Sequence, residues 1–232
     1  MFFGYSNAVT SEFLERVTCV LTAKRLSGEV DVSTWRARFL KIVQERLAGR
    51  SEGELPEIRA WRQAFSKMGL KPTVYGCASE ALLRRFRKDE SLPQINPLID
   101  LYNAVSLAFA TPIAAFDTSK IGDGLEVRHA TGAEVYLTFS AEIENPEAGK
   151  IVFVDKGGRA HARRWTNRQS AFSAIQSTTT LILIVAKVMH DLALADIREL
   201  TTVLVEEIAA IWGAAPDSRI LDRTISRCEF ET

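Results

Sequence analysis

The spacing of apolar side chains predicts helices in the first half of the chain. Apolar residues recur every three or four positions over 33–47 and 55–69, which is the pattern of helices that bury one face. Ser33 suits the N-cap of the first helix, while Pro56 suits the first turn of the second and Gly69 its C-terminal stop. We therefore expect two amphipathic helices joined by a polar loop.

A short helix and a long apolar helix follow. Over 79–88, Ser79 suits the N-cap, and the predicted inward face holds Leu82, Leu83 and Phe86. The long helix begins with Asn96 as N-cap and Pro97 as its first residue. Because this helix is apolar on nearly every side, we expect it to be buried all round.

Strands are predicted mainly after residue 112. Short alternating or β-branched runs bounded by turn residues predict strands over 17–23, 125–131, 133–140, 150–155 and 178–188. A final amphipathic helix covers 195–213, where Asp196 and Glu199 resemble a capping pair. Because helices come first and hairpin-linked strands later, the pattern predicts an α+β fold rather than an alternating α/β fold.

These elements divide the chain into three predicted regions. Residues 1–54 are expected to form an N-terminal strand and helix that pack on the core, and 55–190 the core itself. Residues 191–232 are expected to form a C-terminal amphipathic helix and tail. The first boundary follows the Gly-rich polar segment at 49–54.

Composition and charge narrow the classes of partner. The 232 residues are 47% hydrophobic and 25% charged, as in ordinary globular proteins, and 29 basic residues balance 29 acidic ones. A neutral chain offers nucleic acid no general positive field, so any such contact must come from a local basic patch. We expect no DNA binding.

Neither metal, cofactor nor membrane chemistry is indicated. The cysteines form no CxxC pair and stand apart from the histidines, which predicts reduced thiols in a cytoplasmic protein without a metal site. No phosphate-cradling glycine loop is present, so we expect no cofactor, and the spacing indicates no GxSxG turn or Ser/His/Asp grouping. Asp100 and Asn103 interrupt the longest apolar stretch, and the N-terminus lacks a secretory pattern, which argues against a membrane partner.

Asp100 and Asn103 are the polar exceptions in the long apolar helix. They lie three residues apart and therefore on one face. A buried carboxylate without a partner is costly, so Asp100 is expected to have one. Two interpretations stay open. In the first, Asp100 stabilises the fold by binding an arginine or by capping backbone N–H groups. In the second, Asp100 and Asn103 form the floor of a pocket.

Basic side chains cluster in two segments. Residues 154–170 combine four arginines with Trp165 and amide side chains, which suits phosphate contacts and stacking on a base. The alternative is a hairpin whose outward positions are basic. Residues 84–88 contain three arginines and a lysine, which is typical of a solvated helix face, although one of them is a candidate partner for Asp100.

Several segments occur together in an order that resembles a known family. These segments read MGLKPTVYGCASEALLRR, LPQINPLIDLYNAVSL, TPIAAFD, GLEVRHATGAE and ARRWTNRQS followed by TTTLILIVA. Together they resemble the B3/B4 domain of the phenylalanyl-tRNA synthetase β-subunit. The resemblance covers residues 55–190 and is closer to the free-standing branch of that family. It implies an α+β fold of packed β-sheets with peripheral helices, like that of the synthetase domain.

The resemblance also implies a function. In the synthetase this domain is the editing module, which binds the charged 3′ end of tRNA and hydrolyses tyrosine wrongly attached to it. By implication this chain hydrolyses the ester of mischarged aminoacyl-tRNA in trans, in weak and transient contact with the acceptor end. It is not expected to be an aminoacylating ligase.

The resemblance maps onto individual positions. Asn96, Asp100 and Asn103 match the family's helix, whereas Tyr102 differs from it. Ala114 stands where the family's pocket has a histidine, so that wall is aliphatic here. Ile184 stands where a strand of the family ends in a glutamate that recognises the wrong amino acid.

These positions predict the site. Asn103 and Asp100 are the expected catalytic residues, while Asn96, Tyr102, Ala114 and Ile184 line the substrate pocket. Because discrimination of a phenol hydroxyl needs a polar partner, the aliphatic replacements favour a smaller or apolar side chain over tyrosine. The expected tRNA-binding residues are Arg85, Arg164, Trp165, Asn167, Arg168 and Gln169. Backbone N–H groups and an asparagine could stabilise the oxyanion without a histidine.

Two other functions remain as alternatives. The chain could be a binding module that recognises tRNA or an amino-acid-like ligand without hydrolysing it. It could also be a structural domain that uses the helix over 196–212 to contact partners. Salt-dependent tRNA binding without loss of the ester would favour the first of these two.

Overall fold

The computed structural model describes residues 1–24, 26, 30–72 and 74–230. Within this part of the chain there are six α-helices, which are α1 (Asn7–Glu12), α2 (Ser33–Leu47), α3 (Pro56–Lys67), α4 (Ala78–Asp89), α5 (Pro97–Ala108) and α6 (Ala193–Trp212). The first five strands are β1 (Phe2–Tyr5), β2 (Val17–Lys24), β3 (Ile113–Asp117), β4 (Gly124–His129) and β5 (Val135–Leu137). The remaining strands are β6 (Ile143–Glu144), β7 (Ile151–Asp155), β8 (Arg159–Ala162), β9 (Leu181–Val188), β10 (Asp217–Leu221) and β11 (Arg227–Glu229).

The strands form two sheets that share one hydrophobic core. The larger sheet has the order β11-β1-β4-β7-β8-β5-β6, and the smaller has the order β10-β2-β9-β3. Phe3 and Phe153 of the larger sheet and Val20 and Ile182 of the smaller are fully buried in the same cluster. Helix α3 packs against β9, and α6 packs against β2 and β9. The α+β class and the arrangement of packed sheets with peripheral helices are confirmed.

Strands from both ends of the described chain are built into the sheets. β1 lies between β4 and β11, and β2 lies between β9 and β10. The N-terminal amine of Met1 also donates a hydrogen bond to Phe230 O, 2.9 Å away. Strands of the region 1–54 therefore pair with strands of both 55–190 and 191–232.

Most predicted elements are present, but three predicted caps are wrong. Ser33 is the first residue of α2 rather than its N-cap, and its N–H donates to Asp31 Oδ1 at 2.8 Å. Helix α4 begins one residue earlier than predicted, after Cys77, and Ser79 Oγ instead donates to Ala110 O at 3.1 Å. Asp196 forms a hydrogen bond with His190 Nε2 at 2.6 Å, so it makes no capping pair with Glu199.

The prediction for the long apolar helix is confirmed. Asn96 is the N-cap of α5, its side chain accepts a hydrogen bond from Leu98 N at 3.0 Å, and Pro97 is the first helical residue. Nine of the twelve residues of α5 are buried, as the apolar pattern predicts. None of the helices in the described ranges combines the length and apolar character needed to cross a bilayer.

Candidate functional site

A cavity of about 300 Å³ lies where helices α4 and α5 meet both sheets. Its apolar wall consists of Ala78, Ala81, Leu82, Pro112, Ile113, Ala114, Phe153, Ala162 and Trp165. Its polar lining consists of Tyr102, Asn103, Thr166, Asn167, Arg168, Gln169 and Lys187. The volume is at the small end of the range for ligand sites, which suits one amino-acid-sized group.

Helix α5 presents Tyr102 and Asn103 to this cavity. Neither side chain makes a hydrogen bond within the described residues, although Tyr102 is buried and Asn103 is half-buried. Burial, and then the nearby Asp100 carboxylate, raise the pKa of the Tyr102 phenol above its usual value. The cavity therefore contains a neutral hydroxyl and a free amide, which are both able to bind a ligand.

Asp100 lies on the same helix but does not line this cavity. Its Oδ1 accepts a hydrogen bond from Ile95 N at 2.9 Å, which fixes the turn that leads into α5. Asp100 and Asn96 instead border a separate surface depression together with Asp31 and Arg36. The carboxylate therefore has the structural role of binding a backbone N–H, and the structure does not bring it together with Asn103.

The loop between β8 and β9 forms the opposite wall. Trp165 and Arg168 adopt positive φ angles of 53° and 60°, which are unfavourable for residues other than glycine. The loop is anchored by hydrogen bonds from Trp165 N to Ile151 O (2.8 Å), Asn167 Nδ2 to Gly76 O (3.0 Å) and Gln169 Nε2 to Ala115 O (2.6 Å). This wall is therefore held in shape without a ligand.

Trp165 does not have the surface position that stacking on a base would need. Its side chain is fully buried, with edge-to-face contacts to Phe13 at 4.6 Å and to Trp61 at 5.2 Å between ring centroids. The expectation that Trp165 stacks on a tRNA base is corrected because the ring belongs to the core and borders the cavity from inside.

Three other predicted residues lie outside the cavity. On β9, Val185 pairs with Ala114, whereas Ile184 pairs with Ala115, and successive side chains on a strand point to opposite faces. Ile184 therefore faces away from the cavity-lining Ala114. The Arg164 guanidinium stacks 4.8 Å from the Tyr75 ring centroid, and Arg85 forms an exposed ion pair with Asp89 at 3.6 Å.

Lys187 is a cavity residue that the sequence did not single out. It lies on the Ala114 side of β9, is only 1% exposed, and lines the cavity. Its Nζ donates to Trp165 O at 3.3 Å and lies 4.0 Å from the Phe153 ring centroid. Burial, and then the Arg16 charge, place the pKa of this amine well below its usual value. A lone lysine in an otherwise apolar strand was the signal available in the sequence.

A hydrogen-bonded row of Ser173, His161 and Asp155 lies elsewhere. His161 Nδ1 is 2.8 Å from Ser173 Oγ, and His161 Nε2 is 3.2 Å from Asp155 Oδ2. All three residues are buried, none lines the cavity, and Ser173 is fully enclosed. Burial lowers the pKa of His161, partly opposed by Asp155. Because Ser173 has no exposed surface and does not border the cavity, we interpret the row as a structural link between β7, β8 and the turn at 171–173.

The cavity is rich in hydrogen-bond donors and poor in anions. No carboxylate and no imidazole is among its lining residues in the described ranges, while Asn103, Arg168 and Lys187 all supply N–H donors. Such a lining suits a carbonyl, an ester or an anionic group. Those ranges also contain no group of three or more His, Cys, Asp or Glu side chains able to hold a metal ion.

Comparison with known proteins gives a family match and likenesses to solved structures. A family model described as the B3/4 domain matches residues 60–202, which is more than half of the chain. No curated protein sequence matches. Among solved structures, the chain is similar to an N-terminal fragment of the phenylalanyl-tRNA synthetase β-subunit from Pyrococcus horikoshii, with 10% identity and a TM-score of 0.47. The match covers 92% of this chain and 49% of that chain, so this chain spans about half the length of that fragment.

Proposed function

The chain belongs to the B3/4 domain family, and on that premise we propose that it hydrolyses the ester of mischarged aminoacyl-tRNA in trans. The aminoacyl group would enter the cavity, and the acceptor end of the tRNA would remain at its mouth. The single observation that carries this proposal is the joint presence of Asn103 and Arg168 on one cavity of amino-acid size.

The lining divides into parts that match those of the substrate. Leu82, Ile113 and Ala114 provide apolar surface for the amino-acid side chain, which favours a small or apolar one. The free amide of Asn103 is able to donate a hydrogen bond to the ester oxygen as negative charge develops on it. The exposed Arg168 suits a phosphate of the acceptor end.

A deacylation panel tests the proposal. Purified protein would be mixed with tRNAs that carry different cognate and mismatched amino acids, and loss of the ester would be followed above the uncatalysed background. We expect faster loss for one small set, with the rate strongly reduced in Asn103→Ala and retained in the surface control Lys156→Met. A flat panel with folded protein at high concentration would overturn the proposal.

A second candidate function is binding without hydrolysis. The observation that favours it is the absence of a carboxylate or imidazole from the cavity lining within the described residues. Such a module would bind aminoacyl-tRNA or an amino-acid-like ligand and leave the ester intact. Fluorescence anisotropy with labelled tRNA over a range of salt concentrations would detect it, because phosphate contacts weaken as salt rises.

A further inference from the structure

Burial of the Lys187 side chain costs free energy. Its side chain is buried, and no ion pair to it forms among the described residues. The charge that acts on this amine is that of another cation, Arg16, and the cavity lining adds a further cation, Arg168. A buried ammonium group without an anion is strongly disfavoured, so the amine is favoured in its neutral form.

Packing alone does not account for a lysine at this position. Its neighbours along β9 are apolar, and the one hydrogen bond it makes among the described residues is to a main-chain carbonyl. An aliphatic side chain of the same length would fill the space without the cost of desolvating an amine. A neutral amine that borders a cavity is, in contrast, the form of lysine that acts as a base.

We propose that Lys187 Nζ is the catalytic base that activates water for ester hydrolysis in this cavity. This inference rests on the proposed function. The Lys187 amine would supply a proton acceptor to a cavity whose described lining residues include no carboxylate and no imidazole.

The proposed hydrolysis has two steps, attack of water on the ester and collapse of the tetrahedral adduct. As the water oxygen bonds to the ester carbonyl carbon, Lys187 Nζ accepts one proton from that water, and the Asn103 amide donates a hydrogen bond to the oxyanion. The tetrahedral adduct then collapses, the bond to the ribose oxygen breaks, and the Lys187 ammonium returns the proton to that oxygen. The products are the free amino acid and uncharged tRNA, and the amine is regenerated.

The test compares single-turnover deacylation by wild type, Lys187→Met and the exposed control Lys156→Met over a range of pH. We expect Lys187→Met to lose about 100-fold or more of the rate above background, as for removal of a general base. The wild-type rate should rise with pH and should level off at a pH well below 10.5, which is the usual pKa of a lysine. The rate of Lys187→Met should show no plateau and should rise with hydroxide concentration over the whole pH range.

A second variant separates chemistry from folding. Lys187→Ala leaves space for a small amine, so added ethylamine should restore part of its rate, while Lys156→Met should be insensitive to ethylamine. If wild type hydrolyses the ester and Lys187→Met keeps both its rate and its plateau, the role of Lys187 is overturned and the proposed function stands. If wild type hydrolyses no ester, both are overturned.

Discussion

Asp100 and Asn103 lie one turn apart on α5 and have different surroundings. The Asp100 carboxylate accepts a hydrogen bond from Ile95 N at 2.9 Å, whereas the Asn103 amide makes none within the described residues and lines the cavity. Their shared helical face suggested a shared task. The structure separates them because the turn that enters α5 lies beside Asp100 only.

The first prediction follows from this separation. Asp100→Ala should lower the free energy of unfolding by about 1–3 kcal/mol, since it leaves a part-buried backbone N–H unpaired. Asn103→Ala should change it by less than about 0.5 kcal/mol and should strongly reduce ester hydrolysis. Urea unfolding and deacylation rates would be measured on both variants. A stable and fully active Asn103→Ala protein would contradict the assignment of the site.

The second prediction concerns the stability cost of Lys187. Because burial depresses the pKa of the folded amine, the unfolded chain binds more protons between that pKa and 10.5, so wild-type stability should increase as the pH rises through this window. Lys187→Met should therefore unfold at a higher temperature at pH 7, by about 3 °C or more. The difference should shrink toward pH 10. Equal melting temperatures at both pH values would contradict the depressed pKa.

A third prediction concerns acid sensitivity at His161. Asp155, Arg159 and Ser173 surround its ring, and burial holds its pKa below the usual 6.5. The unfolded chain then binds more protons than the folded protein. The stability contributed by neutral His161 is therefore fully present above pH 6.5 and is lost as the pH falls below that value. Urea midpoints of wild type and His161→Gln between pH 8 and pH 5.5 would show this. We expect the steeper decline in wild type, and parallel slopes would argue against it.

The fourth prediction distinguishes the buried Ser173–His161–Asp155 row from the cavity. Ser173→Ala removes the hydrogen bond to His161 Nδ1 and should lower the free energy of unfolding by about 1 kcal/mol. It should leave the deacylation rate unchanged, because Ser173 does not border the cavity. Loss of hydrolysis in a folded Ser173→Ala protein would move the chemistry to this row.

The fifth prediction tests occupancy of the cavity. Ala114→Phe would place a large ring in the space where the substrate side chain is proposed to lie, so hydrolysis should fall at least about 10-fold with little loss of stability. The exposed Ala133→Phe serves as a matched control and should behave like wild type. An unchanged rate in Ala114→Phe would exclude the aminoacyl group from this cavity.

Local signals in the sequence were sufficient for much of the fold. The Asn96–Pro97 start of α5 and the pattern of period 3.6 in α2 and α3 are set by neighbours in the chain, and the structure reproduces them. The strands β1, β10 and β11 were not predicted. They are short and are defined by partners far away in the sequence, which no local window contains.

The candidate site was only partly predictable for the same reason. Asn103 and Gln169 are polar residues in conspicuous segments, and they lie on one cavity. Lys187 was missed because its importance depends on its burial and on the lack of an ion pair to it among the described residues, which are properties of the packed structure. Strand alternation puts Ile184 and Lys187 on opposite faces, but the apolar run 178–188 does not reveal which face borders the cavity, because that depends on the pairing of β9 with β3.

The placement of β1 and β2 has a consequence for how the chain reaches its native state during synthesis. During synthesis β1 can pair only after β4 and β11 have been made, and β2 can pair only after β9 and β10 have been made. Neither sheet is completed until β10 and β11, at 217–221 and 227–229, have left the ribosome. Folding is therefore expected to be late and slow, and the nascent N-terminal strands would expose apolar edges that a chaperone could bind.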